Sequence, residues 1–391
     1  MPAGDGIMRF EFATAARILF GPGTLREVAP TTAGFGRRVL VVIGRSLERA
    51  EALLDHLESL NILFFTFIVS GEPTLDTVLS GVKKAHEEDC KVVIGFGGGS
   101  VIDAAKAIAA LLTNHGDLLD YLEVIGKGQP LTRAPAPFIA IPTTAGTGAE
   151  VTRNAVLASP DHRVKVSLRS PLMLPQLAVI DPELTRSLPA HLTASTGLDA
   201  LTQLIEPYVS NSPNPITDAF CREGMRRAAG ALRRAYLDGS DMEAREDMAL
   251  ASLLGGLALA NARLGAVHGL AGPLGGMFPA PHGMICARLL PLVMETNSQA
   301  LQTRAPKTAA LERVAEVARI LTGKSTATIA DGLVWLQALT TELAVPPLSR
   351  FGLNDKAIPQ VVAQAQKASS MKGNPIELTE DELADILRRA L

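Results

Sequence analysis

Two histidines, His268 and His282, stand fourteen residues apart in a stretch, 264–291, that is rich in glycine, proline and apolar residues. So many helix breakers suggest a backbone shaped around something, in which the two imidazoles could converge on one point. Because imidazole is a ligand of Zn²⁺ and Fe²⁺, one interpretation is a metal site. The other is an ordinary helix–loop–helix junction whose histidines bond backbone carbonyls, and spacing alone favours the latter.

A second pair of polar residues, Asp199 and Gln203, is four residues apart and therefore shares one face of a predicted helix. Aliphatic residues surround both positions in the sequence. A carboxylate buried among them needs a partner, which a metal ion, a helix cap or an arginine would supply. This segment alone favours an ordinary structural aspartate.

A glycine-rich turn joins the strand-like residues 91–96 to a helical segment, 101–112. Glycines let the backbone approach an anion, and the N–H groups at a helix N-terminus favour a phosphate there. The turn consists of Gly97, Gly98, Gly99 and Ser100. It is neither G-x-G-x-x-G nor a Walker A loop, so a plain tight turn remains the alternative. Asp103 and Lys106, on the next turns, suit a surface ion pair worth about 0–1 kcal/mol.

A polar loop, PTTAGTGAE at 142–150, follows a second buried strand predicted at 137–142. Its hydroxyl-bearing residues at the start are Thr143, Thr144 and Thr147. Ligands of open α/β sheets bind beyond the carboxyl ends of the strands. If the two strands are neighbours, both loops face one crevice, which favours a dinucleotide or another phosphate-bearing ligand.

The elements that must position these residues differ between the two halves of the chain. Short apolar runs at 39–43, 62–69, 91–96, 137–142 and 177–180 alternate with helical stretches, which predicts a parallel α/β domain. After residue 189 only helical patterns follow, at 193–209, 215–237, 242–262, 311–321 and 329–343. We therefore expect an α/β domain over residues 1–185 and an all-helical domain over residues 186–391.

Composition excludes several classes of function. A net charge of −3 over 391 residues offers no basic surface for nucleic acid or anionic membranes. Three widely spaced cysteines do not form a disulfide framework, and the first twelve residues lack the apolar run of a signal peptide. Polar residues interrupt the apolar stretch 253–278, which predicts a buried helix pair rather than a membrane span. We expect a cytoplasmic protein.

Seven motifs together resemble the iron-containing (group III) alcohol dehydrogenases, which share the dehydroquinate synthase-like fold. In chain order they are FGPGTL (20–25), GGGSVIDAAKA (97–107), IPTTAGTGAEVT (141–152), DPELTRSLP (181–189), TASTGLDALT (193–202), LGAVHGLAGPLG (264–275) and PHGMICARLLP (281–291). The resemblance implies an N-terminal dinucleotide-binding domain, a helical metal domain and an active site in the cleft between them. It also implies a homodimer that transfers a hydride reversibly between NAD(P) and a small alcohol or aldehyde.

The resemblance also implies site residues, position by position. It places the turn 97–100 at the cofactor pyrophosphate, the threonines of the polar loop along the nicotinamide ribose and phosphates, and Lys165 near the ribose. We also expect Asp103, on the helix after the turn, to contribute to cofactor binding. The implied metal ligands are Asp199, Gln203, His268 and His282.

Two positions depart from the pattern of that family. Gln203 stands where the family usually has histidine, and a neutral amide oxygen is a weaker ligand than imidazole for Fe²⁺ or Zn²⁺. The site would therefore lose affinity, change its preferred metal or bind none. Gly272 stands where the family usually has another histidine, near the nicotinamide and substrate. Its presence removes a proton carrier and enlarges the pocket.

The segment after the first predicted strand bears on the choice of cofactor. Relatives that prefer NAD often have an aspartate there, which repels a 2′-phosphate. Here the strand continues into Gly44, Arg45 and Ser46, and the arginine could pair with that phosphate. A surface arginine at a turn is the alternative; the sequence favours NADP(H).

The expected reaction is hydride transfer between the nicotinamide and a carbonyl or carbinol carbon. A bound metal would polarise the carbonyl; without one, His268 or His282 would stabilise the oxyanion and exchange the proton. Three alternatives remain at this point: a metal-free reductase of the same fold, a dehydroquinate synthase-like lyase, and an NADP-binding protein whose catalytic centre has decayed.

Overall fold

A six-stranded parallel sheet forms the centre of the first half of the chain. The computed structural model describes residues 9–162 and 164–391. Residues 1–8 belong to the N-terminal segment in which we expected no signal peptide, and they lie outside the described residues. The strands are β1 (Ile18–Phe20), β2 (Arg38–Ile43), β3 (Leu63–Ile68), β4 (Val92–Gly97), β5 (Phe138–Pro142), β6 (Asn154–Ser159), β7 (Val164–Arg169) and β8 (Leu177–Ile180).

The order of the strands places the carboxyl ends of the central ones side by side. The sheet runs β1-β8-β5-β4-β2-β3, and every neighbouring pair is parallel. Strands β4, β5 and β8 are buried along their whole length, as uninterrupted apolar runs predict. After β2 the chain adds β3 on one side and β4 on the other. The switch point of the topology, where open α/β sheets bind ligands, therefore lies between β2 and β4.

Helices cover the sheet and then form the second half of the chain. The helices are α1 (Val28–Phe35), α2 (Glu51–Ser59), α3 (Leu75–Glu87), α4 (Gly99–Leu111), α5 (Leu118–Tyr121), α6 (Ala190–Val209), α7 (Pro215–Leu237), α8 (Met242–Asn261), α9 (Ala266–Met277), α10 (His282–Arg304), α11 (Ala309–Thr322), α12 (Ile329–Glu342), α13 (Ile358–Ala365) and α14 (Glu380–Ala390). The predicted fold class, a parallel α/β part followed by an all-helical part, is confirmed. The division at residues 185 and 186 stays a prediction.

Helices α8 and α9 form the pair predicted from the apolar stretch 253–278. They meet at a bend of 94° and are long and apolar enough to pass as a membrane span only when taken together. Among the described residues, no single helix meets that criterion. Most of the α8–α9 apolar side chains belong to the large core of the helical half.

The loop after β5 packs directly onto the helical half. Gly148 has a positive φ of 59°, and a Cβ atom there would lie 2.4 Å from the Cα atom of Gly256 in α8. Likewise, a Cβ atom on Gly146 would lie 2.7 Å from the side chain of Thr196 in α6. Only glycine permits these approaches, so the small residues of this loop position it against α6 and α8.

The expected surface ion pair between Asp103 and Lys106 is wrong, because the β6–β7 hairpin covers this side of α4. Lys106 is only 1% exposed. Its Nζ atom donates hydrogen bonds to oxygens of Ala149, Thr152 and Asn154. Asp103 instead accepts a hydrogen bond from the backbone N–H of Val156 at 3.0 Å. The pair therefore fastens the hairpin and the loop before it to α4.

The hairpin and β1 had no counterpart in the predicted elements. Strand β1 has three residues, too few to show a period. The two hairpin strands have six residues each and mainly alternate buried and half-buried positions, a pattern of period two that the predicted elements did not include. All three cysteines, Cys90, Cys221 and Cys286, are free and buried, as expected for a chain without a disulfide framework.

Candidate active site

Three helices bring three of the four predicted metal ligands to one point. Asp199 lies in the middle of α6, His268 in the first turn of α9, and His282 is the first residue of α10. The Oδ1 atom of Asp199 lies 3.5 Å from Nε2 of His268 and 3.7 Å from Nε2 of His282. The glycine- and proline-rich stretch is thus a helix–loop–helix junction, and that junction makes the two imidazoles converge.

A fourth side chain, Cys286, belongs to the same cluster. It lies one turn after His282 on α10, and its Sγ atom is 3.6 Å from Nε2 of His282 and 3.9 Å from Nε2 of His268. Together with Asp199, these residues place four ligand atoms within 4.8 Å of one another. The sequence did not lead us to Cys286, although its spacing of four residues from His282 is the signal that could have found it.

Glu206 holds the imidazole of His268 in place. Its Oε2 atom lies 2.6 Å from Nδ1 of His268, and its Oε1 atom accepts a hydrogen bond from the N–H of Val267 at 2.7 Å. A carboxylate on Nδ1 leaves Nε2 directed at the cluster, the arrangement typical of metal-binding histidines. Glu206 was also not predicted from the sequence, although it lies on the same side of α6 as Asp199, seven residues later.

Electrostatic interactions in the cluster oppose the effect of burial. Burial would raise the pKa of Asp199, but the imidazoles of His282 and His268 hold it below its usual value. Burial would lower the pKa of His268, yet the Cys286 thiol and the carboxylates of Glu206 and Asp199 raise it well above its usual value. The pKa of His282 is raised by Cys286 and Asp199 in the same way. The side chains around the two imidazoles therefore favour a positive charge at the centre of the cluster.

Two buried side-chain oxygens of α6, one in this cluster and one four residues further along the helix, have no hydrogen-bond partner among the described residues. They are Oδ1 of Asp199 and Oε1 of Gln203. The Nε2 atom of Gln203 donates to the carbonyl of Gly146 at 3.4 Å, which links α6 to the loop after β5. Buried acceptors without partners are costly, and a divalent cation would satisfy them. The carboxylate, the two imidazoles and the thiol are all suitable donors, so the residues present fit such a metal.

The two loops predicted to bind phosphate lie together at the carboxyl edge of the sheet. Strands β4 and β5 are neighbours, and the N–H of Thr143 donates to the carbonyl of Gly97 at 2.9 Å. The side chains of Thr144 and Thr147 lie against Gly98 and Gly99, respectively. The N-terminus of α4 begins at the same turn. This edge therefore offers backbone N–H groups and hydroxyls to an anion.

The segment Gly44, Arg45 and Ser46 lies at the same edge, across the switch point from the glycine turn. It follows β2, the neighbour of β4. Arg45 is exposed, and its guanidinium donates to the hydroxyl of Ser70, which follows β3. A cation thus follows β2 at this edge of the sheet, with its side chain directed to the residue after β3; the preference for NADP(H) stays a prediction.

Two other predicted cofactor residues have protein partners. Lys165, in β7, forms an ion pair of 3.0 Å with Glu72 and lies against Gly275 of α9. Asp103 is held by Val156, and burial raises its pKa to about 6. The structure therefore brings Lys165 to the helical half beside α9, whereas Asp103 faces the hairpin. Their roles toward a cofactor stay predictions.

Sequence profiles of one family cover nearly the whole chain. The profile described as "Iron-containing alcohol dehydrogenase" matches residues 15–182, and its C-terminal companion matches residues 193–391. The chain belongs to the iron-containing alcohol dehydrogenase family. The resemblance inferred from the seven motifs is therefore confirmed, and with it the class of reaction: these NAD(P)- and metal-using oxidoreductases act on CH–OH groups.

Individual relatives agree with this assignment over most of their length. The chain is 34% identical to a choline dehydrogenase of Bacillus subtilis, covering 97% of this chain and 94% of the relative. It is 37% identical to alcohol dehydrogenase 4 of Schizosaccharomyces pombe, covering 95% of this chain and 87% of the relative. The crystal structure of a 1,3-propanediol oxidoreductase superposes with a TM-score of 0.90 at 34% identity, covering 98% of this chain and all of the other.

We predict that Glu206→Gln weakens metal binding without unfolding the protein. The amide must turn an NH₂ group toward either Val267 or His268, so the imidazole loses its fixed orientation. We expect the dissociation constant for Zn²⁺ to rise by about tenfold to a hundredfold. Competition with a fluorescent chelator measures it, and the exposed Glu312→Gln is the control. Unchanged affinity in Glu206→Gln would contradict the role of this carboxylate.

Proposed function

We propose that this chain oxidises primary alcohols, or reduces the corresponding aldehydes, by hydride transfer to or from NADP(H). The observation that carries the proposal is the cluster of Asp199, His268, His282 and Cys286 within 4.8 Å. It lies beside a loop that also reaches the carboxyl edge of the sheet. An alcohol oxygen at the cluster and a nicotinamide at that edge would thus be neighbours.

The cofactor side of the proposal follows from the loops at the switch point. The turn Gly97, Gly98, Gly99 and Ser100, with the N-terminus of α4, receives the pyrophosphate. Thr143, Thr144 and Thr147 line the nicotinamide ribose and phosphates, and Lys165 approaches the ribose. Arg45, beyond β2, pairs with the 2′-phosphate that distinguishes NADP from NAD. Strand adjacency and the exposed arginine support these assignments.

The substrate side follows from the cluster. Asp199, His268 and His282 hold a divalent metal, with Gln203 as a fourth or outer contact. When bound, the metal polarises the substrate carbonyl and stabilises the alkoxide. His282, with 33% of its side chain exposed, is the accessible imidazole of the cluster, so the ligand it would supply borders the space open to substrate. Glu206 keeps His268 in the orientation that completes this arrangement.

The class of substrate is inferred from Gly272 and from the relatives. A Cβ atom on Gly272 would meet nothing within 4 Å, so this position opens space one turn after His268 in α9. Several relatives are named for choline, 1,3-propanediol, long-chain alcohols or 4-hydroxybutyrate, which are primary alcohols. A primary carbinol presents a small reacting group, and the space at Gly272 accommodates the rest of the molecule.

The assembly and location are proposed on simpler grounds. We propose a homodimer because the resemblance to the family implies one. We propose a cytoplasmic location because all three cysteines are free and buried.

Turnover with a panel of primary alcohols and NADP⁺ tests the proposed reaction. We expect NADPH formation, and a decrease in kcat of at least about a hundredfold in His282→Ala, because this variant lacks one ligand of the metal. His191→Ala, an exposed histidine at the start of α6, is the matched control. Full turnover in His282→Ala would contradict the role of this imidazole. Tight NADP⁺ binding without turnover on any alcohol or aldehyde would favour a decayed centre over an enzyme.

The preference for NADP⁺ has its own test. Arg45→Ala removes a charge-assisted hydrogen bond to the 2′-phosphate, worth about 1.5–3 kcal/mol. We therefore expect kcat/KM for NADP⁺ to decrease by about ten- to a hundredfold while that for NAD⁺ changes little. Arg133→Ala, exposed before β5 at the opposite edge of the sheet, is the control. An equal effect on both cofactors would show that Arg45 does not read the phosphate.

A further inference from the structure

The distances within the cluster resemble the edges of a coordination tetrahedron. Zinc binds nitrogen and oxygen at about 2.0–2.2 Å and sulfur at about 2.3 Å, which gives ligand–ligand edges of about 3.3–3.6 Å. Four of the six separations between the ligand atoms of Asp199, His268, His282 and Cys286 are 3.5, 3.7, 3.9 and 3.6 Å, and all six are within 4.8 Å. A contraction of at most about 1.5 Å in any one separation would therefore bring all four donors onto one ion.

Cys286 is placed for this contact by the helix that carries His282. The two residues are four apart on α10, so the helix directs both side chains to the same side. The thiol is fully buried, and its neighbours are the two imidazoles rather than only apolar groups. Cys221, in α7, is equally buried and belongs to the same hydrophobic core as Cys286, but among the described residues it is not part of any cluster of potential metal ligands. The surroundings of Cys286 are thus specific to this position.

Gln203 is the competing candidate for the fourth ligand. Its Nε2 atom donates to Gly146, so the side chain already has a role in joining α6 to the loop after β5. Its Oε1 atom is neutral and hard, whereas a thiolate is charged and soft and binds Zn²⁺ strongly. A centre with one carboxylate, two imidazoles and one thiolate differs in its metal preference from one with only nitrogen and oxygen donors.

We propose that Cys286 is a thiolate ligand of the metal and that the centre therefore selects Zn²⁺ over Fe²⁺. The inference rests on the proposed function only in assuming that a divalent metal binds at this cluster. Cys286 supplies the strong donor that Gln203 does not, and Gln203 serves to hold the loop between cofactor and metal.

Cobalt substitution tests this ligand directly, because a cobalt–thiolate bond gives an intense near-ultraviolet charge-transfer band. The full-length protein is stripped with a chelator and reloaded with Co²⁺ alone. We expect the band in the wild type and in the control Cys221→Ser, and its absence in Cys286→Ser. We also expect Cys286→Ser to bind Zn²⁺ at least about tenfold more weakly, while Gln203→Ala keeps the band.

Several results would overturn the proposal. These are a wild type that binds cobalt without the band, a band that persists in Cys286→Ser, and a wild type that binds no cobalt. Loss of metal in Gln203→Ala but not in Cys286→Ser would assign the ligand to the amide instead. Cys286→His guards against misfolding, since it should restore metal binding without the band. The readout needs no substrate, so an inactive panel of alcohols would leave the ligand assignment intact.

Discussion

The burial of one carboxylate, Asp199, is the constraint on which the site depends. Its side chain is 2% exposed, and the residues directly before and after it in α6, Leu198 and Ala200, are buried and aliphatic. A buried carboxylate is tolerated only beside a positive charge. Here that charge comes from the imidazoles of His268 and His282, or from a metal ion that these imidazoles and Asp199 would bind. The bend between α8 and α9 and the start of α10 at His282 both serve to bring those groups to the carboxylate.

The same helix connects the metal cluster to the cofactor edge. Through Gln203, α6 contacts the loop after β5, which also packs against α8 at Gly148 and bonds to the turn after β4 through Thr143. A shift of that loop would therefore move the proposed phosphate site and the proposed metal site together. Lys106, with its four hydrogen bonds, further fixes the segment that follows the loop. Positioning within such a site contributes a large part of enzymatic rate enhancement.

The sequence was sufficient to predict features that depend on residues close to one another along the chain. Gly97 follows a buried strand directly, so its place at the carboxyl edge could be derived, and His268 and His282 were candidates from their surroundings. Cys286 and Glu206 were not found because their roles arise only when three helices pack together. The Asp103–Lys106 interpretation was wrong because the hairpin that buries these residues was not among the predicted elements, although its strands alternate, and its packing on α4 is a tertiary contact. Gln203 was identified as unusual, but its contact with Gly146 joins segments 57 residues apart.

The central claim is that a divalent metal held at Asp199, His268 and His282 is required for hydride transfer. Elemental analysis of protein purified without added metal, combined with turnover before and after chelation, tests it most directly. We expect about one divalent ion per chain, loss of turnover when the ion is removed, and recovery when Zn²⁺ is returned. Protein that contains no metal and still turns over its alcohol at the full rate would contradict it.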